Sequence, residues 1–374
     1  MPAAHVNRIM RGTPAPNGGL AEEARVAPVP PVVDIHIHIA AKNEPGCRVS
    51  RELESAPAFI WMLLADRVKR STLRRDFDGT IRDHILGALA GAPSVDYGVV
   101  LALDAAYGED GRRLEEHSHL VVTNEYVRTL AKANPKVLVG ASVHPNRGPV
   151  EGREELARCL DGDPPAALLK LLPNSQVIDV GDPRHDWLYE TLAERGVPLL
   201  CHTGPENTLP VPRPVDECQR LGDPRRLRRA LDIGVTVIAA HSAMRVFPFH
   251  DDHVGDLGAM MREAEENGRW RLFADVSAMC LICRIGTVHR VLESIPGERM
   301  ILGSDYPIPV SDMPPVVFKG LSLDEYLALL HLRNPIEKNL RQLLAMGFPA
   351  SIATRAAEVI PAWVFPNGKR TVKV

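Results

Sequence analysis

The chain lacks the features that mark a membrane protein, a secreted protein or a nucleic-acid-binding protein. No run approaches the roughly 20 consecutive apolar residues that span a bilayer, and the first thirty residues contain no compact apolar segment typical of a secretory signal. Its 44 Lys and Arg residues against 47 Asp and Glu residues leave a formal charge of −3, which gives no general attraction to nucleic acid or to an acidic membrane. We therefore expect a cytoplasmic protein without nucleic-acid or membrane partners.

Cysteines are also few, with six among 374 residues. Without an extracellular signal, scattered cysteines are expected to be free thiols and not a disulfide framework. Cys280 and Cys283 have the spacing of a redox or zinc pair, but no second pair accompanies them. Packing is therefore the favoured interpretation of these two residues.

The remaining composition is that of a globular protein, with 45% apolar residues and a length that suits one large α/β domain or two smaller ones. Residues 1–31 are rich in Pro, Gly and Ala, which predicts a poorly ordered arm. The interpretation is an arm over 1–31 followed by one catalytic domain over 32–374.

Eight short apolar runs recur along the chain, and from the third onward their starts lie about 30–40 residues apart, the length of a strand plus a crossover helix. Between them, Trp187, Leu188 and Leu192 have helical spacing and Gly196 is a typical stop signal. This alternation predicts an α/β fold, the (β/α)8 TIM barrel. A doubly wound open sheet is the alternative, but no Gly-x-Gly-x-x-Gly turn follows the first run. The runs are Val33–Ile39, Tyr97–Leu103, Val137–Val143, Ala167–Leu172, Pro198–Cys201, Thr236–Ala240, Leu272–Val276 and Met300–Leu302.

Two segments exceed this repeat. Residues 40–96 are longer than one crossover helix, and we interpret them as an insertion of two helices on the catalytic face of the barrel. Residues 324–360 are interpreted as extra C-terminal helices that pack on the outside.

The first run carries the most informative motif, Asp34-x-His36-x-His38. Side chains alternate between the two faces of a strand, so these three polar groups share one face and the isoleucines between them take the other. Two imidazoles two residues apart on one face can bind a single metal ion. A half-exposed strand with polar residues facing water is the alternative.

Matching residues follow three later runs: His202 ends the fifth run, His241 the sixth and Asp305 the eighth. In a (β/α)8 barrel the C-terminal ends of all strands meet at one mouth, so these side chains are expected to lie close together. Imidazoles and a carboxylate suit zinc, and a coordination position left open to water makes such a site catalytic.

This ordered set of motifs resembles the amidohydrolase superfamily, and more narrowly the subgroup that contains aminocarboxymuconate-semialdehyde decarboxylase. The resemblance implies that His36, His38, His202 and Asp305 hold one divalent metal, usually zinc, with manganese or iron as alternatives. It also implies that Asp305 and His241 are catalytic. The stretch from His241 to Arg245 lacks the glycine-rich sequence of the subgroup's decarboxylases, which argues against decarboxylation of aminocarboxymuconate semialdehyde itself.

Lys170, inside the fourth apolar run, is the main alternative to a single metal. A lysine in an apolar run is costly unless its charge is paired or removed. Elsewhere in the superfamily a fourth-strand lysine becomes carboxylated and bridges two metals, the second of which would also bind His202 and His241. We favour an unmodified Lys170 and one metal.

Four further residues are candidates for substrate binding, although a structural or solvent-exposed role competes for each: His144 at the end of the third run, and Arg48, Arg51 and Arg245 near the mouth. The sequence thus predicts a metal-dependent hydrolase of a small-molecule amide, lactone or ester. A non-oxidative decarboxylase or hydratase of a carboxylated substrate is the alternative. The oligomeric state is left open, and a homo-oligomer is compatible with the sequence.

Overall fold

The computed structural model describes residues 30–247, 249–284, 286–313 and 321–365. Apart from its last two residues, the predicted arm over 1–31 lies outside the described residues. The fold below belongs to the unit that begins at Pro31.

Eight parallel strands form one sheet, and they coincide with the eight apolar runs to within two residues. The strands of the described residues are β1 (Val33–His38), β2 (Arg48–Val49), β3 (Tyr97–Leu101), β4 (Leu120–Val121), β5 (Val137–Ala141), β6 (Ala166–Leu171), β7 (Leu199–His202), β8 (Val237–Ala240), β9 (Leu272–Asp275) and β10 (Met300–Ile301). The sheet order is β1-β3-β5-β6-β7-β8-β9-β10, while β2 and β4 form a separate antiparallel pair.

Backbone hydrogen bonds close this sheet into a barrel. Ile35 N donates to Leu302 O (3.1 Å), Asp305 N to His36 O (2.8 Å) and His38 N to Tyr306 O (2.7 Å). They join the last strand and its continuation to the first strand, as the closed (β/α)8 barrel requires. The predicted fold is confirmed, and the open doubly wound sheet is excluded.

Helices follow the strands and cover the sheet. Those of the described residues are α1 (Arg51–Ser55), α2 (Pro57–Ala65), α3 (Arg70–Arg75), α4 (Phe77–Ala90), α5 (Asn124–Ala133), α6 (Pro149–Leu160), α7 (Pro173–Gln176), α8 (Asp186–Arg195), α9 (Val215–Gln219), α10 (Arg228–Ile233), α11 (Val254–Asn267), α12 (Val288–Ser294), α13 (Leu323–His331), α14 (Pro335–Met346) and α15 (Ile352–Val359). None of them is long and apolar enough to cross a membrane. Gly196 ends α8 with φ of 64°, a left-handed conformation that glycine adopts without steric cost.

The insertion after β1 differs from the prediction, because it contains four helices (α1–α4) where two were expected. Pro57 starts α2 and ends the preceding helix, since proline cannot donate a backbone hydrogen bond. Arg67 has a left-handed φ of 57°, so the helical conformation does not continue beyond α2. Asp76 is extended and caps α4 by accepting a hydrogen bond from Gly79 N.

The predicted C-terminal helices are present as α13, α14 and α15. The last of them packs against β1 and β10, where the sheet closes. Leu302 N donates to Ile352 O at 3.0 Å, which ties the start of α15 to the chain just after β10.

Candidate active site

The carboxyl ends of the strands bring the predicted polar residues to one mouth. A cavity of about 560 Å³ opens there, and its lining includes His38, His202, His241 and Asp305. These four residues come from β1, β7, the turn after β8 and the segment after β10, as the barrel geometry predicts.

Three predicted metal ligands converge to a single group of acceptor atoms. His36 Nε2 lies 3.1 Å from His38 Nε2 and 3.4 Å from Asp305 Oδ1, and His38 Nε2 lies 3.2 Å from the same oxygen. A tetrahedral zinc ion bound at about 2.0–2.1 Å holds its ligand atoms roughly 3.3 Å apart. The spacing of these three atoms therefore fits a bound divalent ion.

Asp275, at the end of β9, orients His36. Its Oδ2 atom accepts a hydrogen bond from His36 Nδ1 at 2.6 Å, and both side chains are fully buried. With the proton on Nδ1, the lone pair of His36 lies on Nε2, the atom that faces His38 and Asp305. A buried carboxylate behind a histidine in this way is the usual partner of a metal-binding imidazole.

The same carboxylate controls a second histidine through a chain of hydrogen bonds. Ser277 Oγ donates to Asp275 Oδ1 (2.5 Å), so it accepts from His241 Nδ1 (2.7 Å). His241 Nε2 then accepts from His202 Nδ1 (3.2 Å). This assignment of protons leaves the lone pair of His202 on Nε2, the position a metal ligand needs.

His202 stands beside the group of three ligand atoms and is not part of it. Its buried Nε2 atom has no hydrogen-bond partner among the described residues, and the carboxylate of Glu206 lies 3.6 Å away. A buried acceptor without a partner is costly, which is consistent with a group that a bound ion would satisfy.

Asp34, the first residue of the motif, connects two segments that carry the candidate metal ligands. Its Oδ1 atom accepts hydrogen bonds from His36 N (3.1 Å) and Ser304 N (2.9 Å), so it links β1 to the segment that carries Asp305. Burial raises the pKa of Asp34 to about 7.

Several residues of the site have a strained backbone. Left-handed φ values between 52° and 62° occur at five non-glycine residues: His241, Ser242, Ala243, Ala278 and Asp305. Each such residue costs on the order of 1–2 kcal/mol, and strain of this kind concentrates at functional sites.

The protonation states are those that a metal site requires. Burial lowers the pKa of His36, His202 and His241, so these imidazoles are neutral. Burial opposes ionisation of Asp305, but His36 and His38 bring the pKa of its carboxyl down to about 2. Neutral imidazoles and an ionised carboxylate bind metal without first releasing protons.

Lys170 is buried directly behind the ligand group, where its Nζ atom lies 3.2 Å from His36 Nε2. Burial lowers its pKa. The other residues of the predicted two-metal arrangement, His202 and His241, lie next to each other, with His241 Nε2 3.2 Å from His202 Nδ1. A single ion at an unmodified Lys170 therefore stays a prediction.

The four candidates for substrate binding do not line the cavity. His144 is buried, and both of its ring nitrogens are occupied by backbone groups, Gln176 O (3.0 Å) and Asn146 N (3.1 Å). The three arginines also lie elsewhere: Arg48 pairs with Glu115 (2.6 Å), Arg245 lies 3.7 Å from Asp252, and Arg51 is exposed on α1. Both ring nitrogens of His144 are therefore engaged within the protein, and the three arginines lie away from the cavity.

Four residues of the site escaped the sequence analysis: Asp275, Ser277, Glu206 and Arg284. A signal existed for Asp275, a carboxylate inside the seventh apolar run, Leu272–Val276. Glu206 and Arg284 lie in loops that the strand pattern does not locate, although both line the cavity.

Comparison with known proteins agrees with this geometry. The sequence matches the family described as Amidohydrolase over residues 33–330. Among curated proteins no match was found. Similar solved structures include an uncharacterized TIM-barrel protein from Bordetella bronchiseptica (18% identity, 84% of this chain and 98% of that chain covered, TM-score 0.49). They also include 2,6-dihydroxybenzoate decarboxylase from Rhizobium (15%, 84% and 98%, TM-score 0.48) and a putative 2-pyrone-4,6-dicarboxylic acid hydrolase from Pseudomonas putida (16%, 87% and 93%, TM-score 0.46). The family match covers most of the barrel and every strand-end residue of the site, and the chain belongs to the amidohydrolase family.

Proposed function

We propose that the protein is a metal-dependent hydrolase that cleaves an amide, lactone or ester bond of a small molecule. The observation that carries this proposal is the convergence of His36 Nε2, His38 Nε2 and Asp305 Oδ1 within 3.1–3.4 Å of one another. In the tautomer that places the lone pairs of both histidines on Nε2, these three acceptors repel one another unless a cation lies between them.

His36, His38 and Asp305 would hold one divalent ion, which we propose to be zinc, and His202 would contribute its Nε2 atom, which has no partner among the described residues. When bound, such an ion would lower the pKa of a water at the site toward about 7 and polarise the bond under attack. Mixed imidazole and carboxylate ligands suit zinc and also accept manganese or iron.

Asp305 moves the proton in this proposal. One of its carboxylate oxygens faces the two histidines, while Oδ2 lies 3.9 Å from His241 Nδ1, beyond hydrogen-bond distance. The ionised carboxylate can therefore accept the proton of the attacking water at Oδ2 and deliver it to the leaving nitrogen or oxygen.

In this proposal His241 positions the ring of His202 through a hydrogen bond. Both of its ring nitrogens are engaged, one with Ser277 and the other with His202. The resemblance implied a catalytic role for His241, whereas its contacts favour the positioning of His202.

The test is a substrate screen on protein whose metal content has been measured. Zinc-loaded protein is incubated with panels of lactones, esters, amides and aromatic carboxylates, and products are identified by mass spectrometry. Hydrolysis that is lost on chelation and in Asp305→Asn supports the proposal. Metal-independent turnover would contradict it.

Decarboxylation is the second candidate, because a buried arginine cation, Arg284, lines the cavity and suits a carboxylated substrate. The same screen separates the two reactions. A decarboxylase releases CO2 and replaces the lost carboxylate with a proton, whereas a hydrolase adds the elements of water across the cleaved bond.

A further inference from the structure

Arg284 is a buried cation that forms no ion pair with a carboxylate of the described residues. It ends the short turn Ile282–Arg284 after β9 and is 3% exposed. Within the part of the chain that the structure describes, its terminal nitrogens reach only the backbone carbonyl oxygens of Ser277 (3.4 Å) and Met244 (3.3 Å). Its Nε atom has no hydrogen-bond partner among the same residues.

Such an arrangement is costly, because a buried charge is ordinarily paired and its donors satisfied. Two long hydrogen bonds to carbonyl groups do not replace a counter-ion. Since Arg284 lines the same cavity as His38 and Asp305, an anion bound in the cavity is the partner that its position calls for.

The rest of the wall shows what else the ligand carries. The insertion contributes Phe59, Trp61, Met62 and Ile85, and the loop before Arg284 contributes Leu281. A cavity of about 560 Å³ with this lining lies in the range of about 300–1,000 Å³ that encloses drug-sized ligands. Its lining favours an apolar body over a small, highly polar substrate.

We propose that the substrate is an apolar molecule with a carboxylate group, and that Arg284 binds this carboxylate. The planar guanidinium presents paired donors that match the two oxygens of a carboxylate. The binding of the carboxylate by Arg284 is inferred from the cavity and does not depend on the reaction. We also infer that the bond to be cleaved then lies beside His36, His38 and Asp305, and this part rests on the proposed function.

The experiment compares two probes of nearly the same shape, 4-phenylbutyrate and 4-phenylbutyramide, by calorimetric titration of the zinc-loaded protein. We expect the wild type to bind the carboxylate about 10- to 100-fold more tightly than the amide, as charge-assisted hydrogen bonds imply. Arg284→Gln should lose this preference, with amide binding and zinc content unchanged. Arg48→Gln, which alters an arginine outside the cavity, should keep it.

Three results would overturn the proposal: no preference in the wild type, an undiminished preference in Arg284→Gln, or the loss of zinc in that variant. An undiminished preference would mean that the ion or another group holds the carboxylate. If Arg284→Gln does not fold, Arg284→Lys decides, because it keeps the charge and loses the paired donors. A smaller preference for the carboxylate in Arg284→Lys supports the assignment, and a preference as large as that of the wild type refutes it. The experiment measures binding and not turnover. If the wild type prefers the carboxylate but hydrolyses no substrate, the proposed reaction is refuted and the role of Arg284 is not.

Discussion

Replacement of Asp275 by asparagine tests how the metal ligands are oriented. The carboxylate accepts four hydrogen bonds, from His36 Nδ1 (2.6 Å), His241 N (2.7 Å), Ser277 N (3.1 Å) and Ser277 Oγ (2.5 Å). Asparagine has nearly the same shape but puts an NH2 donor in place of one oxygen. If that donor faces His36, the ring must move its proton to Nε2 and loses the lone pair that faces the metal. If the NH2 group instead takes the position of Oδ1, it faces the backbone N–H groups of His241 and Ser277, which are also donors.

The expected magnitude follows from these contacts. The loss of one hydrogen bond to a charged group costs about 1.5–3 kcal/mol, and the removal of such a partner of a metal-binding histidine typically lowers metal affinity by about 10- to 100-fold. We therefore expect Asp275→Asn to weaken zinc binding by one to two orders of magnitude and to retain a folded barrel.

The assay is competition for zinc against a chromophoric chelator at fixed pH, with circular dichroism to verify folding. Asp83→Asn is the matched control, because Asp83 is exposed on α4 and pairs with Arg82, away from the site. Zinc affinity equal to that of the wild type would refute the orienting role. Near-complete loss of zinc would instead indicate a direct ligand, which the group of His36, His241 and Asp275 would permit.

Three further predictions concern other residues. Asp305→Asn should lower turnover of an identified substrate by about 100-fold or more because it removes the proton acceptor, with a smaller loss of metal than histidine variants show; unchanged turnover would contradict this role. Reconstitution with zinc and bicarbonate should give one metal per chain in both the wild type and Lys170→Ala, and two in the wild type would show that Lys170 is carboxylated. Burial lowers the pKa of His144 to about 4, so protonation destabilises the fold as the pH falls from the unfolded pKa of about 6.5 through 4, by about 3 kcal/mol in total. The free energy of unfolding, measured by chemical denaturation at pH 7 and at pH 4, should therefore fall by about 3 kcal/mol less in His144→Gln than in the wild type. An equal fall in both proteins would show that His144 is not the group responsible.

The strands and the metal ligands could be predicted because both follow from local patterns. Apolar runs such as Val137–Ala141 are buried on both faces, so composition alone locates them. His202 and Asp305 follow such runs directly, and barrel geometry then brings them together.

The insertion and the substrate-binding residues could not be predicted in the same way. The helix breaks at Pro57 and Asp76 depend on caps and turns that periodicity does not register. Arg48 was chosen for its charge, but its partner Glu115 lies 67 residues away and holds it outside the cavity. The contact of Asp275 with His36 spans 239 residues and exists only in the folded barrel.

The metal content of the purified protein tests the central claim most directly. Elemental analysis of the wild type should find close to one divalent ion per chain, most of it zinc. The double variant His36→Ala with His38→Ala should contain none and remain folded by circular dichroism. An empty wild type after reconstitution with zinc, or a normal metal content in the double variant, would contradict the account.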